Sequence, residues 1–365
     1  MPNKKLNIAF IHGRPKGHPT HAMYAKSIGS TFFHEDRILR WQDLNESKIK
    51  RYLSWFLNAL FFTKRRFWDV YFTECVRIPQ LIQKKLFLIG KKQKLIAIMS
   101  DESLYFTYIK RFPRLTQQLM LAFWKNCDAI ICIGEFQFNL ACKLLPKNHH
   151  SKLYTIFNGV PESRLNALQN IKPNLKSNNI LFIGNASADW RVNYKGLDLM
   201  LEAFANCYKS NSKLTFTIVG DIPKELSENL LFDLEPNIRP RVNFTGPKDN
   251  IEDYLKNSSL YLHCARGEAW GVSIIEALCA GVPAIISDQT GAKQVIKNLN
   301  PDFILPLDVN TISNSILKYF SLSSEEKLNI SQKAKQVVQD FTEVKAKEHF
   351  VNTFDSIVKD LRIHS

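Results

Sequence analysis

LYLHCARGEAWGVSIIEALCAGVPAIIS, residues 260 to 287, reads as one strand, loop, helix, strand unit. LYLHCA and PAIIS are short continuous apolar runs, the pattern of strands buried on both faces. SIIEALCA has the length and composition of a short helix; Gly281 supplies a left-handed stop and Pro283 lies just beyond it. RGEAWG joins the first strand to that helix. The alternation extends outward. NNILFIG, KLTFTIVG, RVNFTG and DFILP are further apolar runs, and KGLDLMLEAFANCYKS, between the first two, repeats Leu197, Met200, Leu201, Phe204 and Tyr208 at helical spacing. In the first half LNIAFIHG, VYFTE, LIAIMS, AIICIG and LYTIFNG read as strands, with HAMYAKSI, RLTQQLMLAFWKNC and FQFNLACKLL as helices. Strand and helix repeated in this way imply α/β architecture with two Rossmann-like, doubly wound parallel sheets.

A chain of 365 residues is longer than one core usually supports, which agrees with two domains. The expected boundaries are 1–170 and 176–344, with the polar NIKPNLKSNN (170 to 179) as linker and a C-terminal helix, about 345–365, available to pack back on the first domain. Seven scattered cysteines with no C-x-x-C argue against a disulfide framework or zinc knuckle and for a reducing, cytoplasmic setting. The apolar run at the N-terminus is too short for a signal peptide, and no run approaches a membrane span. The net charge of +15 is uneven: 28 basic and 11 acidic residues give positions 1–175 a net of +17, whereas 21 and 23 give the remainder −2.

Ligands of open parallel sheets sit beyond the carboxyl ends of strands. There the quoted stretch holds Glu268 and Glu276, with seven residues between them. On a continuous helix they would lie about 80° apart in rotation and roughly 12 Å apart in rise, too far to share a proton. Gly271 breaks that helix, leaving Glu268 on the loop, Glu276 about one turn inside, and the backbone N–H groups of Gly271, Val272 and Ser273 placed for a phosphate. A ligand with a diphosphate between two hydroxyl-rich groups, a nucleotide sugar, would meet each feature in turn. Spacing alone leaves alternatives open: Ser273 with Glu276 also fits an S-x-x-E capping box, and Glu268 also fits a solvated loop.

Glu268, Trp270, Gly271, Glu276, Ala277, Gly281 and Pro283, followed by SDQTGAKQVI, resemble the E-x7-E region of the family-4 retaining glycosyltransferases of GT-B type, whose two Rossmann-like domains face a central cleft. LFIGNASADWRVNYKGLDLMLEAF resembles that family's donor loop and K-G helix, while IVGD (Ile218 to Asp221), NFTG (Asn243 to Gly246) and FNGV (Phe157 to Val160) fall where the family has similar blocks. The resemblance implies that Glu268 contacts donor-sugar hydroxyls, Glu276 the ribose and Lys195 the diphosphate. Gly17, in the loop HGRPKGHPTH, would allow close approach to the reacting centre. Asn185 stands where an arginine usually follows the donor-strand glycine, with Arg191 supplying charge from the loop; Pro247, after NFTG, joins the donor set with Gly271, Val272 and Ser273. Ser100 or Asp101 falls where the family often has histidine, and Asp101 is taken with Glu268 and Lys195 as the catalytic set. Ala265 and Gln294 replace a common serine and glutamate.

By this resemblance the chain is a retaining hexosyltransferase that uses a UDP- or GDP-linked sugar and needs no metal or other cofactor, its first domain binding the acceptor and its second the donor. No D-x-D triplet is present. Residues 48–72 interleave Lys48, Lys50, Arg51, Lys64, Arg65 and Arg66 with Trp55, Phe56, Phe61, Phe62, Phe67 and Trp68, a mixture suited to an anionic membrane surface and hence to a lipid-linked glycan or other envelope acceptor at the cytoplasmic face. A core helix followed by a solvated basic loop fits the same residues. The alternative readings of the whole chain are a degenerate glycosyltransferase-fold scaffold and a basic nucleic-acid binder; no nucleic-acid reader motif is present, and nucleic acid is not the expected partner.

Overall fold

The apolar runs pair as parallel strands in two sheets. The computed structural model describes residues 6–13, 19–34, 49–50, 52–53, 56–57, 68–86, 89–90 and 92–363. β1 (Ile8–His12), α1 (Pro19–Ser27), β2 (Thr31–His34), β3 (Val70–Glu74), α2 (Ile78–Lys85), β4 (Lys94–Met99), α3 (Ser103–Tyr108), α4 (Arg114–Asn126), β5 (Ala129–Ile133), α5 (Gly134–Leu144) and β6 (Leu153–Ile156) form a sheet of order β2-β1-β3-β4-β5-β6 with its helices. There follow α6 (Glu162–Gln169), β7 (Asn179–Ile183), α7 (Asp189–Lys195), α8 (Leu197–Ser210), β8 (Thr215–Val219), α9 (Lys224–Phe232), β9 (Val242–Phe244) and α10 (Glu252–Lys256). Then come β10 (Leu260–His263), α11 (Val272–Cys279), β11 (Ala284–Ser287), α12 (Lys293–Leu299), β12 (Ile304–Leu305), α13 (Val309–Ser321), α14 (Ser324–Val337) and α15 (Glu343–Asp360). The second sheet has the order β12-β11-β10-β7-β8-β9.

Among the described residues the strands of both sheets pair in parallel, Ile8 opposite Val70 in the first and Asn179 opposite Thr215 in the second. All residues of β1, β3, β5, β10 and β11 are buried, which explains their continuous apolar runs: helices cover both faces, so neither face needs polar side chains. Each fully buried Phe, such as Phe10, Phe72, Phe182 and Phe216, contributes about 1.5–3 kcal/mol by leaving water.

The chain divides into two compact units, Met1–Phe157 with Ala346–Ser365, and Asn158–Lys345. The division falls before the stretch expected as linker, because residues 170–179 are held within the second unit. Asn174 N–H donates to Lys256 C=O at 2.8 Å, and Lys335 Nζ donates to the carbonyls of Gln169 and Ile171 at 2.7 and 2.6 Å. In the first unit the end of α15 supplies core: the Phe350 ring stacks on Tyr24 at 4.6 Å, and Phe354 meets Phe72 edge-on at 6.0 Å.

One helix differs from its expected extent. KGLDLMLEAFANCYKS does not begin a helix at Lys195; Lys195 ends α7, and α8 starts at Leu197. Gly196 between them has φ +68°, and a Cβ there would lie 2.1 Å from the Cys264 carbonyl oxygen. The bend is set by close backbone approach across the unit, which helical periodicity does not record.

Candidate active site

In the second sheet the chain reverses direction at β7 and β10, which are neighbours, so the loops leaving their carboxyl ends flank the crevice where such sheets bind ligands. The β10 loop is clamped to the α7–α8 bend. Arg266 forks onto Asp198, Nη1 to Oδ1 and Nη2 to Oδ2 at 2.7 Å each, while Nη1 also donates to the Asn193 carbonyl at 2.6 Å and Arg266 N–H to the Tyr194 carbonyl at 2.9 Å. Glu268 is fixed by its own backbone, its N–H donating to Gln289 C=O at 3.1 Å and its C=O accepting from Gly291 N–H at 2.8 Å. The solvated-loop reading of Glu268 is thereby removed.

These ties bring Lys195 and Glu268 together. Lys195 Nζ donates to Glu268 Oε2 at 2.5 Å, and His263 Nε2 stands 3.4 Å from the same oxygen. The two side chains of the Lys–Glu pair are only 13% and 15% exposed, and His263 is buried. Burial by itself would raise the Glu268 pKa, but the Lys195 ammonium and then His263 outweigh it and hold the carboxyl far below the usual carboxylate range. Burial lowers the His263 pKa, against the pull of Glu268. The residues expected at the sugar and at the diphosphate thus form one ion pair. An ammonium has three N–H donors, so Lys195 can keep Glu268 and still meet a phosphate oxygen.

α11 begins at Val272, with Gly271 as N-cap at φ +87°; a Cβ on Gly271 would come within 2.5 Å of Ile274 Cδ1. The capping box is not formed. Ser273 and Glu276 lie inside the helix, and each has another partner. Tyr261 Oη is 2.8 Å from Ser273 Oγ and 3.0 Å from the Ile183 carbonyl, and Ile183 N–H donates to it at 3.3 Å. One phenol has one proton, so when it goes to the Ile183 carbonyl, Ser273 must donate to Oη. Tyr261→Phe is expected to lower stability by about 1–2 kcal/mol, because half-buried polar groups of β7 and α11 lose their shared partner; chemical unfolding measures it. The first backbone N–H groups of α11 have no intrahelical acceptor and carry the positive end of its dipole.

Glu276 Oε1 accepts from Arg164 Nε at 2.9 Å, and the same guanidinium also bonds Glu252. Asn185, exposed just beyond β7, accepts the Asp221 N–H at Oδ1, 3.0 Å away, which ties the β7 and β8 loops. Arg191 lies over the Trp190 ring, its Cζ 5.1 Å from the centroid, and Pro247 is exposed beyond β9. All the expected donor residues except Gly17 therefore lie in the second unit, on the loops and short helices that follow β7, β9 and β10, with Lys195 at the end of α7.

Gly17 lies outside the described residues, as do most of residues 48–72. Asp101 follows β4 in the first unit, where its Oδ1 accepts from Ser103 N–H at 3.2 Å and Ser103 Oγ at 2.5 Å, a turn that starts α3. At the carboxyl ends of β1 and β3, the switch point of the first sheet, a buried cluster was missed from sequence. Glu74 Oε1 lies 2.8 Å from His21 Nδ1, and Oε2 accepts from Gly13 N–H at 3.4 Å and lies 3.7 Å from Arg77 Nη2. VYFTE ending in a charge was the available signal, since a strand buried on both faces rarely closes on an unpaired glutamate. The missed residues of the second unit are Arg164, Arg266 and His263.

Residues 163–337 match the family model "Glycosyl transferases group 1", so the chain carries a glycosyltransferase group 1 domain. It is 23% identical over 265 residues to the O-antigen biosynthesis glycosyltransferase WclY of Escherichia coli, covering 71% of this chain and 70% of that protein. It is 24% identical over 171 residues to the phosphatidylinositol N-acetylglucosaminyltransferase gpi3 subunit of Schizosaccharomyces pombe, covering 46% of this chain and only 36% of the subunit. Among solved structures, HepE of Anabaena in complex with UDP superposes with a TM-score of 0.69 at 14% identity, covering 96% of this chain and 100% of that one. WaaG, a glycosyltransferase involved in lipopolysaccharide biosynthesis, does so with a TM-score of 0.65 at 14% identity, covering 96% and 99%. These likenesses show the GT-B fold of two parallel-sheet Rossmann-like domains.

Proposed function

We propose that the protein moves a sugar from a UDP- or GDP-linked donor to a lipid-linked glycan or related envelope acceptor, with retention of anomeric configuration and without a metal ion. The observation that carries this reading is the Lys195–Glu268 pair at the β7/β10 switch point, beside the α11 N-terminus. Lys195 neutralises charge that builds on the departing diphosphate, and the α11 N–H groups share it, so the leaving group is stabilised by preorganised dipoles rather than by water. Glu268, ionised by its neighbours, accepts from sugar hydroxyls, and Glu276 accepts from the ribose. Asp101 is the acceptor-side residue, and Gly17, Asn185, Arg191 and Pro247 complete the donor contacts. The relatives' names support glycan assembly as the setting, and the UDP of the HepE complex supports a nucleotide donor. Incubating the protein with a panel of UDP- and GDP-sugars and an undecaprenyl-diphosphate-linked acceptor tests it. Anomer-retaining transfer in the presence of chelator is expected, and transfer that inverts the anomer or stops with chelator overturns the mechanism.

Peripheral binding to an anionic membrane face is part of the proposal. No described helix is long and apolar enough to cross a membrane. In the first unit residues 103–127 hold no acidic residue, but include Lys110, Arg111, Arg114 and Lys125. Around the α3–α4 turn Tyr108, Ile109 and Leu115 are 45%, 45% and 52% exposed, and Lys143 Nζ lies 5.2 Å from the Tyr108 ring centroid. Cations on phosphates with apolar side chains at headgroup depth suit an anionic bilayer. Wild type should co-sediment with vesicles containing phosphatidylglycerol at low salt, and Ile109→Asp with Leu115→Asp should weaken binding about tenfold, through lost apolar burial and added repulsion. Equal binding to neutral vesicles, or none to anionic ones, contradicts the membrane role.

A further inference from the structure

Arg164, in the first turn of α6, joins two glutamates carried by different elements of the second unit. Its Nε–H reaches Glu276 Oε1 on α11 at 2.9 Å, and its Nη1–H reaches Glu252 Oε1 at the start of α10. The three side chains are 27%, 16% and 29% exposed for Arg164, Glu276 and Glu252, so the network sits at the protein surface without being fully solvated. A guanidinium ordinarily takes both oxygens of one carboxylate through its planar fork. Here the fork is shared between two carboxylates, one oxygen from each. Glu276 is therefore held in one orientation through Oε1 alone, and its Oε2 stays outside the ion pair.

We propose that Arg164 is a positioning residue for ribose recognition: it locks the Glu276 side chain so that Oε2 accepts from the nucleotide's ribose hydroxyls. The proposal rests on the reading of Glu276 as the ribose contact. A glutamate on a helix surface otherwise samples several rotamers, and a carboxylate already fixed loses less freedom when the diol arrives. Lysine would supply the charge without the fork, since its ammonium is a point donor on a flexible stem.

Calorimetric titration of the full chain with UDP and GDP, and then with the 2′,3′-dideoxy form of whichever binds tighter, tests this. Wild type should prefer the ribonucleotide by about tenfold or more, the effect of hydrogen bonds to a charged group. Arg164→Met should reduce that preference to about twofold while leaving dideoxynucleotide affinity unchanged, and the unchanged affinity shows that the site still folds. Arg164→Lys should also lose most of the preference, and it carries the test if the methionine variant does not bind. A wild-type preference retained in either folded Arg164 variant overturns the positioning role. If Glu276→Ala keeps the preference, it is the ribose reading that fails. If Glu276→Ala loses it and Arg164→Met keeps it, only the inference about Arg164 fails.

Discussion

Lys195→Met is expected to lower kcat/KM by about 10²–10³-fold, the usual effect of removing a donor that stabilises developing charge, with the loss mainly in kcat. It should also destabilise the protein by roughly 2–4 kcal/mol, because Glu268 is left as a largely buried charge without its main partner. The double variant Lys195→Met/Glu268→Gln removes both charges and should recover most of that stability while remaining inactive. Such non-additivity is the signature of a direct pair. Steady-state kinetics and chemical unfolding of the three proteins measure both effects; additive stability losses would show that the pair is not formed in solution.

The pair also sets a pH dependence. Glu268 has a folded pKa depressed below its ordinary value of 4.5, so its contribution to stability is fully present above about pH 4.5 and drains away as pH falls toward the depressed value. His263, kept neutral by burial, has a folded pKa below its ordinary 6.5, so it too favours the native state above that pH and costs stability as the medium becomes more acidic. Acidification from pH 7 to 4 should therefore lower the melting temperature. His263→Gln should flatten the upper part of that dependence, and an unchanged slope between pH 6.5 and 5 would contradict the assignment.

Gly196→Ala should cost roughly 2–5 kcal/mol, combining left-handed backbone for a Cβ-bearing residue with a steric conflict that has no flexible side chain to yield. The atom in conflict is the Cys264 carbonyl oxygen, 2.1 Å from an ideal Cβ. Because Lys195 precedes it, relief of the conflict should displace the ammonium and lower activity by more than tenfold. Gly246→Ala is the control. Its φ of +72° is similar, but no heavy atom lies within 4 Å of an ideal Cβ at that position, so only the backbone term of about 1 kcal/mol applies. Thermal unfolding of the two variants should separate them clearly, and equal losses would show that crowding at Gly196 is relieved by small shifts.

Much of the fold could be read directly because burial on both faces of a parallel sheet writes itself as unbroken apolar runs, and NILFI, TFTIV and AIIS all became strands. TFFH, strand β2, escaped because at a sheet edge it has only two apolar residues between Thr31 and His34, too few to form an unbroken apolar run. S-x-x-E was a sound signature applied at the wrong place. Ser323 with Glu326 forms the capping box of α14, whereas Ser273 with Glu276 does not, because Gly271 had already capped α11. The left-handed Gly271 and the length of α11 followed from a tight strand-to-helix turn.

From the sequence alone came the two-sheet α/β architecture and the loops most suited to a nucleotide sugar, since periodicity, glycine stops and charge spacing are local properties of the chain. The tertiary structure alone decided the partnerships. Lys195 meets Glu268 across 73 residues, and Arg164 meets Glu276 across 112, at distances set by which strands are neighbours in the second sheet. It also replaced a continuous helix at Lys195 with a bend, because the backbone of Cys264 passes too close to Gly196 for any side chain to fit.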